Sequence, residues 1–237
     1  MRVLVVTAVP VERDAVTRAF GGAEEHLSLP GTELHRRGAF DVLAGGAGPA
    51  AAAAATAFAL VSGAPASSPY GLVVSAGIGG AFTPVTPLGS LVVADGIVAA
   101  DLGAETAEGF LPVTALGFGR DRFAPPPALV REVAAATGAA TGPVLTVSTV
   151  TGTAERAGAL LAAHPGALAE AMEGFGVAEA AARAGVPVLE VRAVSNAVGP
   201  RDRDAWRIGD ALAALTDAFG AAASVLEGWN SHENLEG

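Results

Sequence analysis

The sequence predicts a single α/β domain in which a sheet is packed between helices. Apolar runs of four to eight residues, rich in Val and Leu, alternate with Ala-rich segments of helical length, and this alternation is typical of a sheet covered by helices. Of the 237 residues, 51% are hydrophobic and 16% are charged, so one large core is feasible. Neither a repeat nor a linker divides the chain, and we expect one domain over residues 1–228 and a frayed polar tail over 229–237.

The strands are predicted from runs with few charged residues, which are typical of strands buried on both faces. In chain order they are Val3–Ala8, Leu34–Arg37, Phe40–Ala44, Gly71–Ala76, Ser90–Ala94, Val144–Val147 and Val186–Val194. The helices are predicted from the Ala-rich segments and from start signals such as Pro10 and Asp204. They begin near Val11, Ala50, Pro127, Ala154, Ala169 and Trp206.

No charged residue occurs between Asp41 and Asp95, and such a stretch first suggests a membrane span, which needs about 20 continuous apolar residues. The segment is interrupted by glycine, proline and serine, and its helical part, Ala50–Leu60, is mostly Ala. We therefore expect a helix and strands buried on several sides in a soluble protein, with no membrane partner. A helix covered by a second subunit would also fit so long an uncharged segment.

Composition argues against several other classes of protein. The formal net charge is −10 and no Lys or Arg cluster occurs, so no nucleic acid partner is expected. Cysteine is absent and the apolar run Val3–Val9 is too short for a secretory signal, so the cytoplasm is the expected location. The four histidines are scattered without ligand spacing, and we assign no metal; they are His26, His35, His164 and His232.

A glycine motif, Gly46-Ala47-Gly48-Pro49-Ala50-Ala51, follows one predicted strand and opens a predicted helix. It matches the fingerprint of dinucleotide-binding proteins, which also requires an acidic residue about 20 residues further on. None occurs before Asp95. A tight strand-to-helix turn is therefore the better interpretation, and no NAD or FAD cofactor is expected.

A second glycine-rich segment, Ser75–Gly80, ends another predicted strand. The backbone amides around Ile78 and Gly79 are unshielded by large side chains, so they are suited to bind an anion, a ribose oxygen or a base edge. A plain glycine turn explains the same residues equally well.

Two glutamates stand out by their surroundings. Glu173 lies among apolar neighbours in a predicted helix, and the next basic residue along the chain is Arg183. A buried carboxylate needs a polar partner, which a ligand with hydroxyl groups would supply, although an exposed position is the alternative. Glu12 lies just beyond the first predicted strand, where ligands bind in α/β sheets; an ordinary first-turn acid of a helix is the alternative.

The segment Val194–Asp204 leaves the longest apolar strand for a polar loop, so Ser195 and Asn196 occupy the carboxyl end of a strand. Asp202 and Asp204 follow in the same loop. For these two residues, pairing with neighbouring arginines or helix capping is favoured over catalysis.

Four segments together resemble the superfamily of purine nucleoside phosphorylases and methylthioadenosine/adenosylhomocysteine nucleosidases: Glu12, the Ala76–Gly80 loop, Met172-Glu173-Gly174 and Arg192–Asn196. Their order and separations fit this superfamily from Met1 to about Leu226. Within it, the run Ser195–Arg203 with Trp206-Arg207-Ile208 resembles the futalosine hydrolases. The resemblance implies a three-layer α/β/α domain with a mixed, partly barrel-like twisted sheet. It also implies a homo-oligomer.

The activity implied by this resemblance is hydrolysis of the N-ribosyl bond of a purine nucleoside, with water as the nucleophile and no cofactor. Glu12 would activate the water, as a general base. Glu173 would hold the ribose hydroxyls and stabilise positive charge on the sugar, above Met172. The expected substrate contacts are Ile78, Gly79, Met172, Glu173 and Ser195.

The resemblance also indicates a difference at the base-binding position. The methylthioadenosine nucleosidases carry a Ser-Asp pair there, whereas this chain has Ser195-Asn196. An Asn amide both donates and accepts hydrogen bonds but cannot donate a full proton, so a 6-oxopurine such as hypoxanthine is favoured over adenine. The leaving base is then stabilised by hydrogen bonds alone, or Asp202 supplies the proton. Both possibilities remain open.

Three rival functions remain at this point. The first is a 6-oxopurine nucleoside phosphorylase, which the charge of Glu12 disfavours and the adjacent Arg13 favours. The second is a nucleosidase of the methylthioadenosine/adenosylhomocysteine type, and the third is a nucleoside-binding module without turnover. Futalosine also carries a carboxylate at its 5′ end. The candidates to bind that group are Arg36, Arg201 and Arg203.

Overall fold

The computed structural model describes residues 1–229, which alternate between strands and helices in the predicted manner. The strands are β1 (Arg2–Thr7), β2 (Glu25–Leu29), β3 (Thr32–Arg37), β4 (Phe40–Ala44), β5 (Tyr70–Ala81), β6 (Leu91–Ala99), β7 (Gly103–Thr106), β8 (Gly109–Pro112), β9 (Arg122–Phe123), β10 (Ala140–Thr146), β11 (Ala169–Ala171) and β12 (Val188–Ala197). The helices are α1 (Pro10–Thr17), α2 (Pro49–Ser62), α3 (Pro127–Thr137), α4 (Ala154–Ala163), α5 (Gly174–Arg183) and α6 (Ile208–Gly228), and a 3-10 turn covers Arg203–Ala205.

The central sheet is mixed and partly closed. Its strands follow the order β11-β10-β6-β12-β5-β1-β4-β3-β2, and β11 also pairs with β5. This extra antiparallel pairing closes β5, β12, β6, β10 and β11 into a five-stranded barrel, while β1, β4, β3 and β2 extend from β5 as an open sheet. The predicted mixed, barrel-like sheet is confirmed.

Helices cover both faces of the sheet. On one face α2 and α5 pack against each other, and a side chain at Gly176 of α5 would place its Cβ 2.0 Å from the Pro49 carbonyl oxygen of α2. On the other face α1, α3 and α6 share a core cluster that includes Val16, Leu129 and Leu215. The predicted three-layer α/β/α architecture is therefore confirmed. Small residues permit the close approach of α5 to α2.

The long uncharged segment lies inside this fold. It forms α2, β5 and the first part of β6, and most of the β5 and β6 side chains are buried. The buried residues of α2 lie among the alanines, while Phe58 is half exposed and Val61 is 86% exposed. By length and composition alone, the helical region Arg203–Gly228 could cross a membrane. In the structure, however, α6 buries one face in the core through residues such as Leu215 and Phe219.

Two local predictions are wrong. The helix predicted from Ala169 is strand β11 up to Ala171, and α5 begins only at Gly174. Pairing with β10 and β5 overrides the helical preference of the Ala-Glu-Ala run. The glycine-rich Ala76–Gly80 segment is part of strand β5, which continues to Ala81, because β12 pairs with β5 from Val73 to Ala81.

The C-terminal tail was predicted to start at residue 229. Trp229 is buried in the core cluster beneath α6. Residues 230–237 lie outside the described part of the chain, so the prediction of a frayed tail is untested there.

Candidate active site

A cavity of about 360 Å³ opens where β1, β5, β11 and β12 end. This is the edge at which α/β sheets commonly bind ligands. Most of the predicted site residues line it, although they come from four separate parts of the chain. These residues are Glu12, Ile78, Gly79, Met172, Glu173, Ser195 and Asn196.

Glu12 lies in the first turn of α1 and is only 3% exposed. Its Oε1 accepts a hydrogen bond from the Ile78 amide at 2.9 Å, and its Oε2 accepts from the Ala8 amide at 3.0 Å. Burial raises the pKa of Glu12, and the charge of Glu173 raises it further, whereas the Ile78 amide and Arg192 lower it. The carboxylate is therefore fixed in orientation and more basic than an exposed glutamate.

Glu173 lies directly before α5 and is 5% exposed. Its Oε1 accepts from the Gly48 amide at 3.2 Å, and its Oε2 accepts from the Met172 amide at 3.3 Å. The alternative of an exposed Glu173 is wrong, because the cavity wall and the glycine turn enclose it. The position at a helix N-terminus also favours a negative charge.

Arg192 is the partner of Glu173 that the sequence did not reveal. It is fully buried on β12, and its Nη1 lies 3.4 Å from Glu173 Oε2. Its Nε donates to Glu190 Oε1 at 2.9 Å and its Nη2 donates to Ser75 Oγ at 3.0 Å. In the sequence Arg192 is recognisable only as part of the Arg192–Asn196 motif, because spacing along the chain does not indicate which distant carboxylate a strand residue faces.

Gly77 makes room for this group of charges. A Cβ atom at this position would lie 2.7 Å from Arg192 Nη1 and 2.7 Å from Glu12 Oε1. The glycine of β5 thus permits Glu12 and Arg192 to approach the same strand. Close approach, rather than a turn, explains the glycine here.

Ser195 and Asn196 end β12 at the cavity. The buried Ser195 hydroxyl donates to Asn196 Oδ1 at 2.8 Å, and Asn196 Nδ2 donates to the Ala197 carbonyl at 3.0 Å. Because Nδ2 carries two hydrogens, one of them remains available to a ligand. Gly80 on β5 leaves space for the amide, since a Cβ there would lie 3.2 Å from Nδ2.

Sequence reasoning missed another buried carboxylate in the cavity wall. Glu170 on β11 accepts hydrogen bonds from the Thr151 amide at 2.8 Å and from the Thr151 hydroxyl at 2.5 Å. Burial raises the pKa of Glu170, and the two Thr151 hydrogen bonds lower it. Glu170 holds the segment around Val150 and Thr151 against the cavity. The available signal is an acidic residue three positions before Glu173, but the local sequence predicts a helix there rather than the observed strand.

The arginines suggested for other roles lie in different environments. Arg201 lines the cavity beside Trp206, with its guanidinium carbon 5.3 Å from the indole ring. Arg36 is bound to Asp41 at 2.9 Å through both Nε and Nη2, and Arg13 is bound to Asp14 at 2.8 Å. Neither Arg36 nor Arg13 lines the cavity.

Asp202 is exposed in the loop after β12, and the residues lining the cavity include its neighbour Arg201 but not Asp202. The structure therefore does not bring Asp202 together with Asn196, and its proposed role as proton donor stays a prediction.

The glycine motif before α2 is a strand-to-helix turn, in which Gly46 and Gly48 both have a φ of +91°. The Gly48 amide faces Glu173 rather than a nucleotide phosphate.

Known proteins with this sequence pattern identify the family. A profile of the Phosphorylase superfamily matches residues 8–228. A futalosine hydrolase of Streptomyces coelicolor is 68% identical over 98% of this chain and 100% of the relative. The chain belongs to the futalosine hydrolase family. A second futalosine hydrolase, from Acidothermus cellulolyticus, is 46% identical over 92% of this chain and 88% of its own length.

The family assignment agrees with the fold. The methylthioadenosine/adenosylhomocysteine nucleosidase of Neisseria meningitidis superimposes with a TM-score of 0.80, at 18% identity over 94% of this chain and 99% of that one. At this identity the likeness concerns the fold alone. The predicted superfamily and the predicted family are both confirmed.

Proposed function

We propose that this member of the futalosine hydrolase family is an N-glycosyl hydrolase that cleaves the N-ribosyl bond of futalosine, in menaquinone biosynthesis. The products are hypoxanthine and dehypoxanthine futalosine. The observation that carries the proposal is a pair of buried carboxylates, Glu12 and Glu173, that line one cavity and interact with the same buried arginine. The identity of 68% to a futalosine hydrolase over nearly the whole chain supports it.

Glu12 is proposed to activate the attacking water. Three backbone amides, those of Ala8, Val9 and Ile78, hold its carboxylate, so the side chain is positioned before substrate binds. A general base works best when its pKa lies near the operating pH, and burial shifts the pKa of Glu12 in that direction. General-base catalysis of this kind contributes roughly 10²–10⁴-fold in rate.

Glu173 is proposed to bind the ribose hydroxyls and to stabilise the oxocarbenium-like sugar. Both of its oxygens accept backbone hydrogen bonds and Oε2 also faces Arg192, so Oε1 is the oxygen with a second lone pair for a ligand hydroxyl. Met172 lies beside it in the cavity wall and offers an apolar surface to the sugar. These proposed roles are analogous to those of the two carboxylates in glycoside hydrolases, which act on either side of an oxocarbenium-like sugar.

Asn196 is proposed to recognise hypoxanthine. Its free Nδ2 hydrogen can donate to N7 or O6, and its Oδ1 retains a lone pair for a base N–H besides the Ser195 hydroxyl. Asp202 would have to move to protonate the base, because it is exposed and outside the cavity lining. Stabilisation of the leaving base by hydrogen bonds alone is therefore the favoured alternative.

Arg201 and Trp206 are proposed to bind the carboxyphenyl group at the 5′ end of futalosine. Both line the cavity, and an indole beside a guanidinium is suited to an aromatic carboxylate. Arg36 is excluded from this role because Asp41 and the Gly63 carbonyl bind its guanidinium. Arg201→Ala should raise KM for futalosine and leave KM for inosine, which lacks the group, unchanged. Equal effects on both nucleosides would contradict this assignment.

We also propose a homo-oligomer in the cytoplasm. Val61 and Phe58 on α2 are exposed apolar side chains on one helix, and such a face is suited to a partner subunit. Size-exclusion chromatography with light scattering tests the assembly. A monomer at the working concentration would contradict it.

One assay distinguishes the hydrolase from its rivals. Purified protein is incubated with futalosine, inosine, methylthioadenosine and aminodeoxyfutalosine, with and without phosphate, and the released base and sugar are identified. We expect hypoxanthine from futalosine in the absence of phosphate. Release that depends on phosphate would show a phosphorylase, which the pairing of Arg13 with Asp14 outside the cavity disfavours. Binding of futalosine without release of any base would show a binding module.

A further inference from the structure

A second group of ionisable side chains lies on the opposite edge of the sheet from the barrel, where the β2–β3 hairpin meets α1. His26 of β2 and His35 of β3 are directly opposite in the antiparallel register, and their rings stack with centroids 4.2 Å apart. Glu24 directly precedes β2, and its Oε1 lies 3.0 Å from His26 Nε2. Glu24, His26 and His35 each offer one ligand atom, and these atoms all lie within 4.8 Å of one another.

From this arrangement we propose a binding site for a divalent transition metal of the zinc class, formed by Glu24, His26 and His35, with Asp14 of α1 as the fourth ligand. Glu24 Oε1 lies 3.0 Å from His26 Nε2 and 3.1 Å from His35 Nδ1, and Asp14 Oδ1 lies 3.8 Å from His35 Nδ1. Bond lengths of about 2.0–2.2 Å to zinc place tetrahedral ligands about 3.3 Å apart. The two distances to Glu24 Oε1 are close to that value, and the distance of 3.8 Å from Asp14 is longer.

His35 is the residue that points most directly to a ligand. It is 6% exposed, and neither of its ring nitrogens has a hydrogen-bond partner. The contact of Nδ1 with Glu24 Oε1 is short but lacks hydrogen-bond geometry. A buried polar atom without a partner is costly. Binding of a metal ion to the lone pair on Nδ1 of the neutral imidazole removes that cost for Nδ1, and a cavity of about 210 Å³ beside His35, Glu24 and Asp14 leaves room for the ion.

The surrounding residues hold the ligands as second-layer groups of metal sites do. Arg37 binds Glu24 Oε2 through Nε at 2.9 Å and Nη2 at 2.5 Å, which leaves Oε1 directed at the histidines. Glu33 Oε1 lies 2.5 Å from His26 Nδ1. In the structure His26 Nε2 also forms a hydrogen bond with Glu24 Oε1 at 3.0 Å. Glu33 would keep the proton on Nδ1, and the metal ion would take the place of the proton between Nε2 and Glu24.

Two adjustments complete the coordination. The half-exposed His26 ring turns about its χ2 bond so that its Nε2 lone pair converges with the lone pair of His35, and the half-exposed Glu33 carboxylate moves with Nδ1. Asp14 Oδ1 leaves Arg13, which binds it at 2.8 Å, and approaches the ion. Two imidazoles and two carboxylates form a donor set that suits zinc better than magnesium or calcium, which prefer oxygen ligands alone. The bound ion would tie the edge hairpin to α1, the helix that carries Glu12.

Isothermal titration calorimetry with zinc chloride, on untagged full-length protein freed of metal by a chelator, tests the site. We expect one zinc per chain, and a rise in the unfolding temperature with zinc because the ion binds the folded state alone. Cobalt(II) should give the intense visible absorption of a four-coordinate ion. The exposed positions provide the variants, since His26→Gln and Glu24→Gln leave the core intact.

Each of these substitutions should weaken zinc binding at least tenfold, with an unchanged circular dichroism spectrum and unchanged nucleosidase activity. Two variants are the matched controls and should bind zinc as the wild type does. They are Glu25→Gln, whose side chain points to the other face of the hairpin, and His164→Gln, at the end of α4. Absence of zinc binding overturns the proposal. Binding that persists in both ligand variants, or that is lost in His164→Gln or His232→Gln, also overturns it.

Discussion

Arg192 Nη1 lies 3.4 Å from Glu173 Oε2, and the arginine is completely buried. The same guanidinium also lowers the pKa of Glu12 through its charge, so one cation acts on both carboxylates of the candidate active site. Glu190 binds its Nε from the other side. Buried charges are tolerated only when they are paired and hydrogen-bonded. The negative charges of Glu12 and Glu173, which are proposed to act on water and on the sugar, are therefore stabilised by the buried Arg192.

The role of Glu12 predicts the effect of Glu12→Gln. The amide keeps the shape of the side chain but cannot accept a proton from water, so kcat for futalosine should fall by roughly 10²–10⁴-fold while binding of the substrate is retained. Steady-state kinetics and calorimetric titration of the variant with futalosine measure the two effects. Glu155→Gln, in the first turn of α4, is the control and should behave as wild type. Unchanged turnover in Glu12→Gln would remove Glu12 from its proposed role.

The pKa of Glu12 predicts the pH dependence of the reaction. A general base must be deprotonated, and burial raises the pKa of Glu12 above the ordinary 4.5. Activity should therefore be lost as the pH falls through this raised pKa. The contribution of Glu12 to the free energy of unfolding changes with pH in the opposite direction. Because the pKa of Glu12 is raised in the folded state, this contribution falls as the pH rises from 4.5 through the folded-state pKa.

Glu173→Gln provides a sharper form of this test. The charge of Glu173 raises the pKa of Glu12, so its removal should move the acidic limb of kcat/KM to lower pH, besides lowering the rate. A pH–rate profile of the residual activity measures the shift. A limb that moves to higher pH would contradict the electrostatic coupling of the two carboxylates.

Gly77→Ala should displace Glu12 and Arg192, although residue 77 does not itself line the cavity. The added Cβ would lie 2.7 Å from both Arg192 Nη1 and Glu12 Oε1, which must shift to accommodate it. We expect kcat/KM to fall at least tenfold and the unfolding temperature to fall as well. Gly220→Ala in α6, where a Cβ meets nothing within 4 Å, is the matched control. There we expect full activity and a gain of about 0.5–1 kcal/mol in the free energy of unfolding.

Asn196→Asp should shift the preferred base from 6-oxopurines towards 6-aminopurines. An aspartate can carry the proton that Asn lacks, but an ionised one cannot donate a hydrogen bond to O6. The ratio of kcat/KM values for futalosine and aminodeoxyfutalosine measures the change. An unaltered ratio would refute the proposed contact between Asn196 and the base.

The proton donor is tested by Asp202→Asn, with Asp204→Asn as the control in the same loop. If hydrogen bonds alone stabilise the leaving base, both variants should keep kcat within about twofold of wild type and the alkaline limb of the pH profile should be unchanged. A selective loss in Asp202→Asn, with a shifted alkaline limb, would instead assign the proton to Asp202 and require the loop to close over the cavity.

Much of the architecture was predictable because local patterns carry it. The apolar runs gave strands such as Phe40–Ala44 with their observed bounds, and Pro127 and Ala154 begin helices where predicted. The short strand Ala169–Ala171 was missed because its three residues favour a helix locally and become a strand only by pairing with β10 and β5. Strand β2 was missed because it is a polar edge strand, whose alternation of exposed and partly buried residues is weak.

The sequence by itself determined the layered α/β fold, the family, and seven of the residues that line the cavity, which come from four separate motifs. Only the tertiary structure decided which side chains face each other: Arg192 with Glu173, Glu170 with Thr151, and His26 with His35. The physical reason is that hydrophobic periodicity is a property of neighbouring residues, whereas a charge pair depends on the register between distant strands. That register is set when β11 closes the barrel against β5 and when β2 pairs with β3.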